Sequence, residues 1–353
     1  MNRVRVLVVD DSAVVRQILS DGLASDPAIE VVGVAGDVYR ARELILSKQP
    51  DVLTLDVEMP RMDGLVFLKK LMPQYPLPVV MVSSLTGPGA GATLEAFQYG
   101  AVEVVSKPSS RLKAGLQAMI EDLCLKVKAA SLVDVSRWRD ERWSEAIRKI
   151  PAGALSKSTD KVVALGASTG GTVALRAILL AFPADMAGTV VVQHMPPGFT
   201  RMFADKLNHE CQVQVKEAED RDRIIQGRVL IAPGGLQTTV QRSGGEYLVR
   251  VQPGERVNGH APSVDVLFDS VAAAVGANAI GVVLTGMGRD GASGLLNMRR
   301  AGARTLSQDE ASSLIYGMPM EAWALGGSEK QVSLNQVPAE ILVLLRRMSH
   351  DQT

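Results

Sequence analysis

Leu165-Gly-Ala-Ser-Thr-Gly-Gly171 follows the β-branched pair Val162-Val163 and precedes a helix-like stretch from Thr172 to Leu180, which predicts a sharp strand-to-helix turn at Ser168. Small residues are needed there because the backbone bends where a side chain would obstruct it, and strand and helix pack closely. Such a turn lifts the serine hydroxyl out of a sheet and turns backbone N–H groups toward whatever binds. The next loops repeat the pattern. Gln193-His194-Met195-Pro196-Pro197 follows the β-branched run Thr189 to Val192, and Leu284-Thr-Gly-Met-Gly-Arg-Asp-Gly291 follows Ile280 to Val283. Strands alternating with helices from Lys161 onward imply an α/β domain with a mostly parallel sheet, whose functional residues cluster in the loops after strands.

Serine is a weak nucleophile until a base takes its proton, imidazole suits that task, and a carboxylate behind the imidazole fixes its tautomer. Ser168, His194 and Asp290 supply one such set at three strand ends. Among the four histidines, His209 ends an apparent helix and His350 lies in the C-terminal tail, whereas His260 in Asn258-Gly-His-Ala-Pro-Ser263 is a competing base. A serine at a helix start is most often only a cap, and the coincidence of three loops is what favours chemistry. No Lys-Ser or Lys-Thr follows the glycines, so the turn is not a Walker A loop, and the spacing misses G-x-G-x-x-G. The order Ser, His, Asp also differs from the Ser, Asp, His order of α/β-hydrolases.

Composition bounds the rest. A length of 353 residues favours two or three domains, and 46% hydrophobic against 22% charged residues suffices for packed cores. Lys+Arg and Asp+Glu are each 38, so nothing favours nucleic acid or an anionic membrane, and no basic recognition helix suggests a transcription factor. Cys124 and Cys211 form no C-x-x-C pair, and the apolar run Val6 to Val9 is too short for a signal peptide or membrane span. A cytoplasmic protein without direct membrane insertion is expected.

Before the serine domain, aliphatic runs at Val4-Val9, Val31-Ala35, Val52-Leu55, Val79-Val82 and Val102-Val105 alternate with helical periodicity, which predicts a five-stranded flavodoxin-like domain. Asp10, Asp11, Asp56, Ser83 and Lys107 fall at the strand ends where such domains bind ligands. Gathered carboxylates repel one another, and Mg2+ relieves that strain through oxygen ligands, here Asp10 or Asp11, Asp56 and a backbone carbonyl such as that of Glu58. If Asp56 attacks a phosphoryl group, Lys107 neutralises the developing charge and the Ser83 hydroxyl meets a phosphate oxygen. The expected layout is a domain at 1–125, a charged connector with Trp138 and Trp143 at 126–160, and the serine domain at 161–350.

Val-Val-Asp-Asp-Ser at 8–12, Leu-Asp-Val-Glu-Met-Pro-Arg-Met-Asp-Gly at 55–64, Met-Val-Ser-Ser at 81–84 and Ser-Lys-Pro at 106–108 make the first domain similar to two-component receivers. That resemblance implies phosphorylation of Asp56 by a partner histidine kinase. Many receivers carry Tyr or Phe three residues before the lysine, where this chain has Val104. With the three serine-domain loops, His-Ala-Pro-Ser-Val-Asp at 260–265 and Ser-Gln-Asp-Glu-Ala-Ser-Ser at 307–313, the whole chain resembles the CheB family of chemotaxis methylesterases. The resemblance implies hydrolysis of glutamate γ-methyl esters, and deamidation of glutamines, on methyl-accepting chemotaxis receptors. It assigns Ser168 as nucleophile, His194 as base, Asp290 as orienter and the Met287 and Thr169 N–H groups as oxyanion donors, with no cofactor in the ester step. It further implies that phosphorylation releases the esterase from cover by the receiver.

Overall fold

The computed structural model describes residues 3–84, 89–108, 113–135 and 160–350, in two compact units divided within the connector. The tryptophans expected in the connector, Trp138 and Trp143, lie outside the described residues.

The first unit runs β1 (Val4–Val9), α1 (Ala13–Ala24), β2 (Ile29–Ala35), α2 (Val38–Lys48), β3 (Val52–Asp56), α3 (Gly64–Gln74), β4 (Val79–Ser84), α4 (Gly89–Gln98), β5 (Ala101–Lys107) and α5 (Lys113–Ala130). Its strands pair in parallel in the order β2-β1-β3-β4-β5. This is the flavodoxin-like order, whose switch point lies between the first and third strands. Aliphatic runs build the middle of the sheet because helices cover both faces, so Val6 to Val9 and Leu53 to Leu55 are buried without alternation. Ser12, Asp37 and Asp63 cap α1, α2 and α3 by accepting backbone N–H bonds, which sets each helix start just beyond a strand end. Helix α5 continues to Ala130, past the boundary expected at residue 125.

The second unit runs β6 (Val162–Ala167), α6 (Gly171–Ala181), β7 (Gly188–Gln193), α7 (Phe199–Glu210), β8 (Gln214–Glu217), β9 (Arg228–Ile231), the antiparallel hairpin β10 (Gln237–Ser243) and β11 (Glu246–Gln252), α8 (Val264–Ala274), β12 (Ala279–Val283), α9 (Ala292–Arg300), β13 (Arg304–Gln308), α10 (Met318–Ala324), β14 (Lys330–Val332) and α11 (Val337–His350). Seven strands pair in parallel in the order β14-β13-β12-β6-β7-β9-β8. After β6 the chain builds outward on one side and then returns to build on the other. That reversal makes the end of β6 a switch point, and Val283↔Gly166 and Ala167↔Gln193 bring the ends of β12, β6 and β7 level.

Beneath those ends, Leu267, Phe268 and Val271 of α8 and Leu295 and Met298 of α9 share one core with Val162, Ala164, Val190 and Val192 of the sheet. Gly166 permits that approach: a Cβ on it would stand 2.2 Å from Val264 Cγ1 at the start of α8. Gly166→Ala is therefore expected to destabilise the second unit by about 1–3 kcal/mol. Denaturant unfolding should show part of the loss restored when Val264→Ala is added, and a neutral Gly166→Ala would contradict the packing described.

Candidate active site

Ser168 is the first residue beyond β6 and is held by its own turn and by the ends of both neighbouring strands. Its N–H donates to Thr285 O at 3.0 Å, and its carbonyl accepts the Gly171 N–H at 2.7 Å and Gln193 Nε2 at 3.0 Å. Gly170, at φ +80°, turns the chain into α6. Across the site, a Cβ on Gly286 would lie 2.7 Å from Ser168 Cβ, so the loop after β12 presses directly on the serine.

His194, the first residue beyond β7, is tied to β6 by its N–H, which donates to Ala167 O at 3.1 Å. Its Nε2 lies 2.8 Å from Asp290 Oδ2, while its buried Nδ1 has no hydrogen-bond partner. Asp290 is buried and also accepts from Asn258 Nδ2 (2.9 Å), Ser263 Oγ (2.8 Å), Val264 N–H (2.7 Å) and Asp265 N–H (3.3 Å). Burial alone would raise the Asp290 carboxyl pKa, but the bond and charge of His194, with the Asn258 and Val264 donors, hold it well below the usual range. An ionised carboxylate only accepts, so the proton of the neutral His194 ring stands on Nε2 and Nδ1 carries the lone pair. The competing histidine lies flat on the first, with the His260 ring centroid 3.6 Å from that of His194 and the planes 10° apart.

Of the expected oxyanion donors, the Met287 N–H makes no hydrogen bond among the described residues. Thr169 is buried, and its carbonyl accepts from Thr285 Oγ1 at 2.9 Å. Sequence reasoning missed Asn258, Ser263, Gln193 and Thr285. The segment holding His260 contained the first two, but a polar residue in a turn does not announce which carboxylate it will meet.

In the first unit, Asp10, Asp11 and Asp56 each offer an oxygen, and these oxygens lie within 4.8 Å of one another. Lys107 Nζ stands 2.8 Å from Asp10 Oδ2 and 2.8 Å from Asp56 Oδ2, and Asp10 Oδ1 accepts the Ser12 N–H at 2.9 Å. Three carboxylates within reach of one another, two of them paired with the Lys107 ammonium, form a hard-oxygen donor set that suits Mg2+. Burial, joined by the Asp10 charge and opposed by Lys107, pushes the Asp56 carboxyl up to about 6. Glu58 reaches this cluster through its N–H, 3.4 Å from Asp56 Oδ1. Ser83 lies inside β4 rather than after it, buried, with its Oγ accepting from Thr93 Oγ1 at 2.8 Å. Val104 is buried in β5, and its carbonyl accepts Lys126 Nζ at 2.6 Å.

An acidic cluster with a lysine at the switch point of one parallel sheet, and a serine, histidine and aspartate at that of another, define a response regulator whose effector is a hydrolase. Residues 6–120 match the response regulator receiver domain and residues 163–341 match the CheB methylesterase family. The chain belongs to the CheB methylesterase family. It is 59% identical over 345 residues to the protein-glutamate methylesterase/protein-glutamine glutaminase of Syntrophotalea carbinolica, covering 97% of this chain and 98% of that one. To the protein of the same name from Escherichia coli O157:H7 it is 50% identical over 342 residues, 97% of each. The solved Thermotoga maritima CheB methylesterase catalytic domain is 32% identical, with a TM-score of 0.52, and spans 53% of this chain and 100% of its own. No helix among the described residues is long and apolar enough to cross a membrane.

Because the Asp56 carboxyl titrates near 6 rather than at 3.8, the folded first unit gives up stability as pH rises between those values. Asp56→Asn is therefore expected to stabilise that unit at pH 7.5 without divalent cations, by roughly 1–3 kcal/mol, and to lose the advantage at pH 4. Unfolding curves at the two pH values check the sign, and an equal effect at both would contradict it.

Proposed function

We propose that this chain hydrolyses glutamate γ-methyl esters, and deamidates glutamines, on methyl-accepting chemotaxis receptors in the cytoplasm, and that phosphorylation of Asp56 raises the rate. The observation that carries the chemistry is the His194 Nε2 bond to Asp290, which leaves the buried Nδ1 lone pair unused at the strand end beside Ser168. Ser168 Oγ attacks the ester carbonyl while His194 Nδ1 takes its proton, giving an oxyanion held by the Met287 N–H and by Thr169 in the turn after the nucleophile. Collapse expels methanol, protonated by His194, and leaves an acyl-enzyme. Water, deprotonated by the same nitrogen, then releases the glutamate carboxylate. Glutamine follows the same path with ammonia leaving. The ester becomes a negative charge on the receptor, a change that its signalling state can read.

On the regulatory side, Asp56 accepts a phosphoryl group from a chemotaxis histidine kinase. Lys107 neutralises charge on the acceptor and Ser83 turns its hydroxyl to a phosphoryl oxygen. Asp10, Asp11 and Asp56, with the Glu58 carbonyl, would hold Mg2+, which supplies further neutralisation of the phosphoryl oxygens.

Methanol release from methylated receptor membranes tests both halves. Ser168→Ala is expected to lower the rate by at least about a thousandfold, and retained release would rule out this nucleophile. With a small phosphodonor and Mg2+, the full chain should speed up several-fold. Asp56→Asn should keep the basal rate without the acceleration, and an accelerated Asp56→Asn would overturn the regulatory half.

A further inference from the structure

The Asp290 carboxylate has a second carboxylate close by, and one side chain stands between the two. Asn258 Nδ2 lies 2.7 Å from Asp265 Oδ2 and 2.9 Å from Asp290 Oδ1. A primary amide nitrogen carries two hydrogens, so it serves each carboxylate with one. Asp265 is buried in the first turn of α8, and its other oxygen accepts the Gly294 N–H of α9 at 2.7 Å. Its burial, opposed by that N–H and reinforced by the charge of Asp290, pushes its carboxyl pKa up. Asn258 is held in place by its backbone, at φ +52° and followed by Gly259 at φ +84°, in a turn closed by Val257 and His260 exchanging N–H···O bonds of 3.0 and 2.9 Å. Asparagine is one of the few residues that accept this left-handed conformation. The charged and titratable groups around the cluster are His194 from the end of β7, His260 from the turn itself, Asp269 from α8 and Asp290 from the loop before α9.

We infer that Asn258 is a positioning residue of the hydrolytic site: by donating to Asp265 and Asp290 together it limits the negative charge that reaches His194, and so keeps that ring ready to accept a proton. The inference rests on the reading of Ser168, His194 and Asp290 as the hydrolytic set. A hydrogen bond from an amide draws negative charge away from a carboxylate. Without it, Asp290 holds the Nε2 proton and the imidazolium more tightly, and the base stays protonated over a wider pH range. A carboxylate in place of the amide would deepen that effect.

Asn258→Gly and Asn258→Asp both tolerate a positive φ, so they remove the amide while leaving the turn, which a melting temperature can verify. In the full chain, the acid limb of the kcat profile for methanol release is expected to move upward by about one pH unit in the glycine variant, and further in the aspartate variant. KM should stay within about twofold, and most of the loss at pH 7 should be recovered by pH 9, which a merely structural defect would not permit. Asp265→Asn removes the second charge and should move the limb downward. Folded Asn258 variants with an unmoved limb would overturn the inference. Should they not fold, Asp265→Asn decides alone, a downward move supporting it and an unmoved limb overturning it. Ser168→Ala run in parallel separates the causes. If that variant still releases methanol, the reading of the hydrolytic set has failed, and if it is inactive while the limbs stand still, only the role of Asn258 falls.

Discussion

Asp290 stands almost out of reach of water and nonetheless stays ionised, because donors from four parts of the chain converge on its two oxygens. His194 arrives from β7, Asn258 from a left-handed turn, Ser263 from the cap of α8, and Val264 and Asp265 through the first N–H groups of that helix. An unpaired buried carboxylate would cost several kcal/mol or take up a proton. Satisfying it obliges α8 to begin where it does, and Gly166 and Gly291 are glycines because Val264, the first N–H donor of that helix, leaves no room for a Cβ. The serine turn, the histidine and the aspartate are thus one packed object. Since the folded Asp290 carboxyl titrates below the unfolded value of 3.8, its contribution to stability is present above that pH and fades as acid approaches the folded value.

Both units solve the same problem with the same construction. A parallel sheet buried on both faces has no room for polar chemistry within it, so reactive groups collect at the carboxyl ends where the strand order reverses. In the first unit the reversal between β1 and β3 brings Asp10 against Asp56, and Lys107 bridges the two like charges. In the second, the reversal at β6 brings a serine, a histidine and the loop that carries a buried carboxylate to neighbouring strand ends. The electrostatic outcomes are opposite. Asp56 is left strained at neutral pH by burial and a neighbouring carboxylate, whereas Asp290 is oversupplied with donors and fixed.

Much of this could be read from the residues because the deciding signals were local. Runs of aliphatics marked the central strands of both sheets; Ser168, His194, Asp10 and Asp56 each stand directly after a strand or at its end, and Asp290 lies in the glycine-rich loop that follows one. Apart from α11, whose apolar periodicity at Val337, Ile341, Leu344 and Leu345 was passed over, what escaped was non-local or weakly patterned. Strand β14 is three residues with a single buried aliphatic, and α10 opens Met-Pro-Met, so neither shows a periodicity to detect. Helix α5 passed the expected boundary because the stretch around Lys126 and Lys128 looks like polar connector. In fact those lysines bond to the Val104 carbonyl and Asp26, which keeps the helix on its own unit. Asn258 and Asp265 gave no sign of joining Asp290, since nothing in their neighbours specifies a partner 32 or 25 positions away.

The central claim is that three level strand ends turn Ser168 into a base-activated nucleophile, and covalent trapping tests it most directly. Treating the full chain with a fluorophosphonate and mapping the adduct by mass spectrometry should give one label, on Ser168, that forms far more slowly in His194→Ala. A label on another residue, or equal labelling of Ser168 with and without His194, would contradict it.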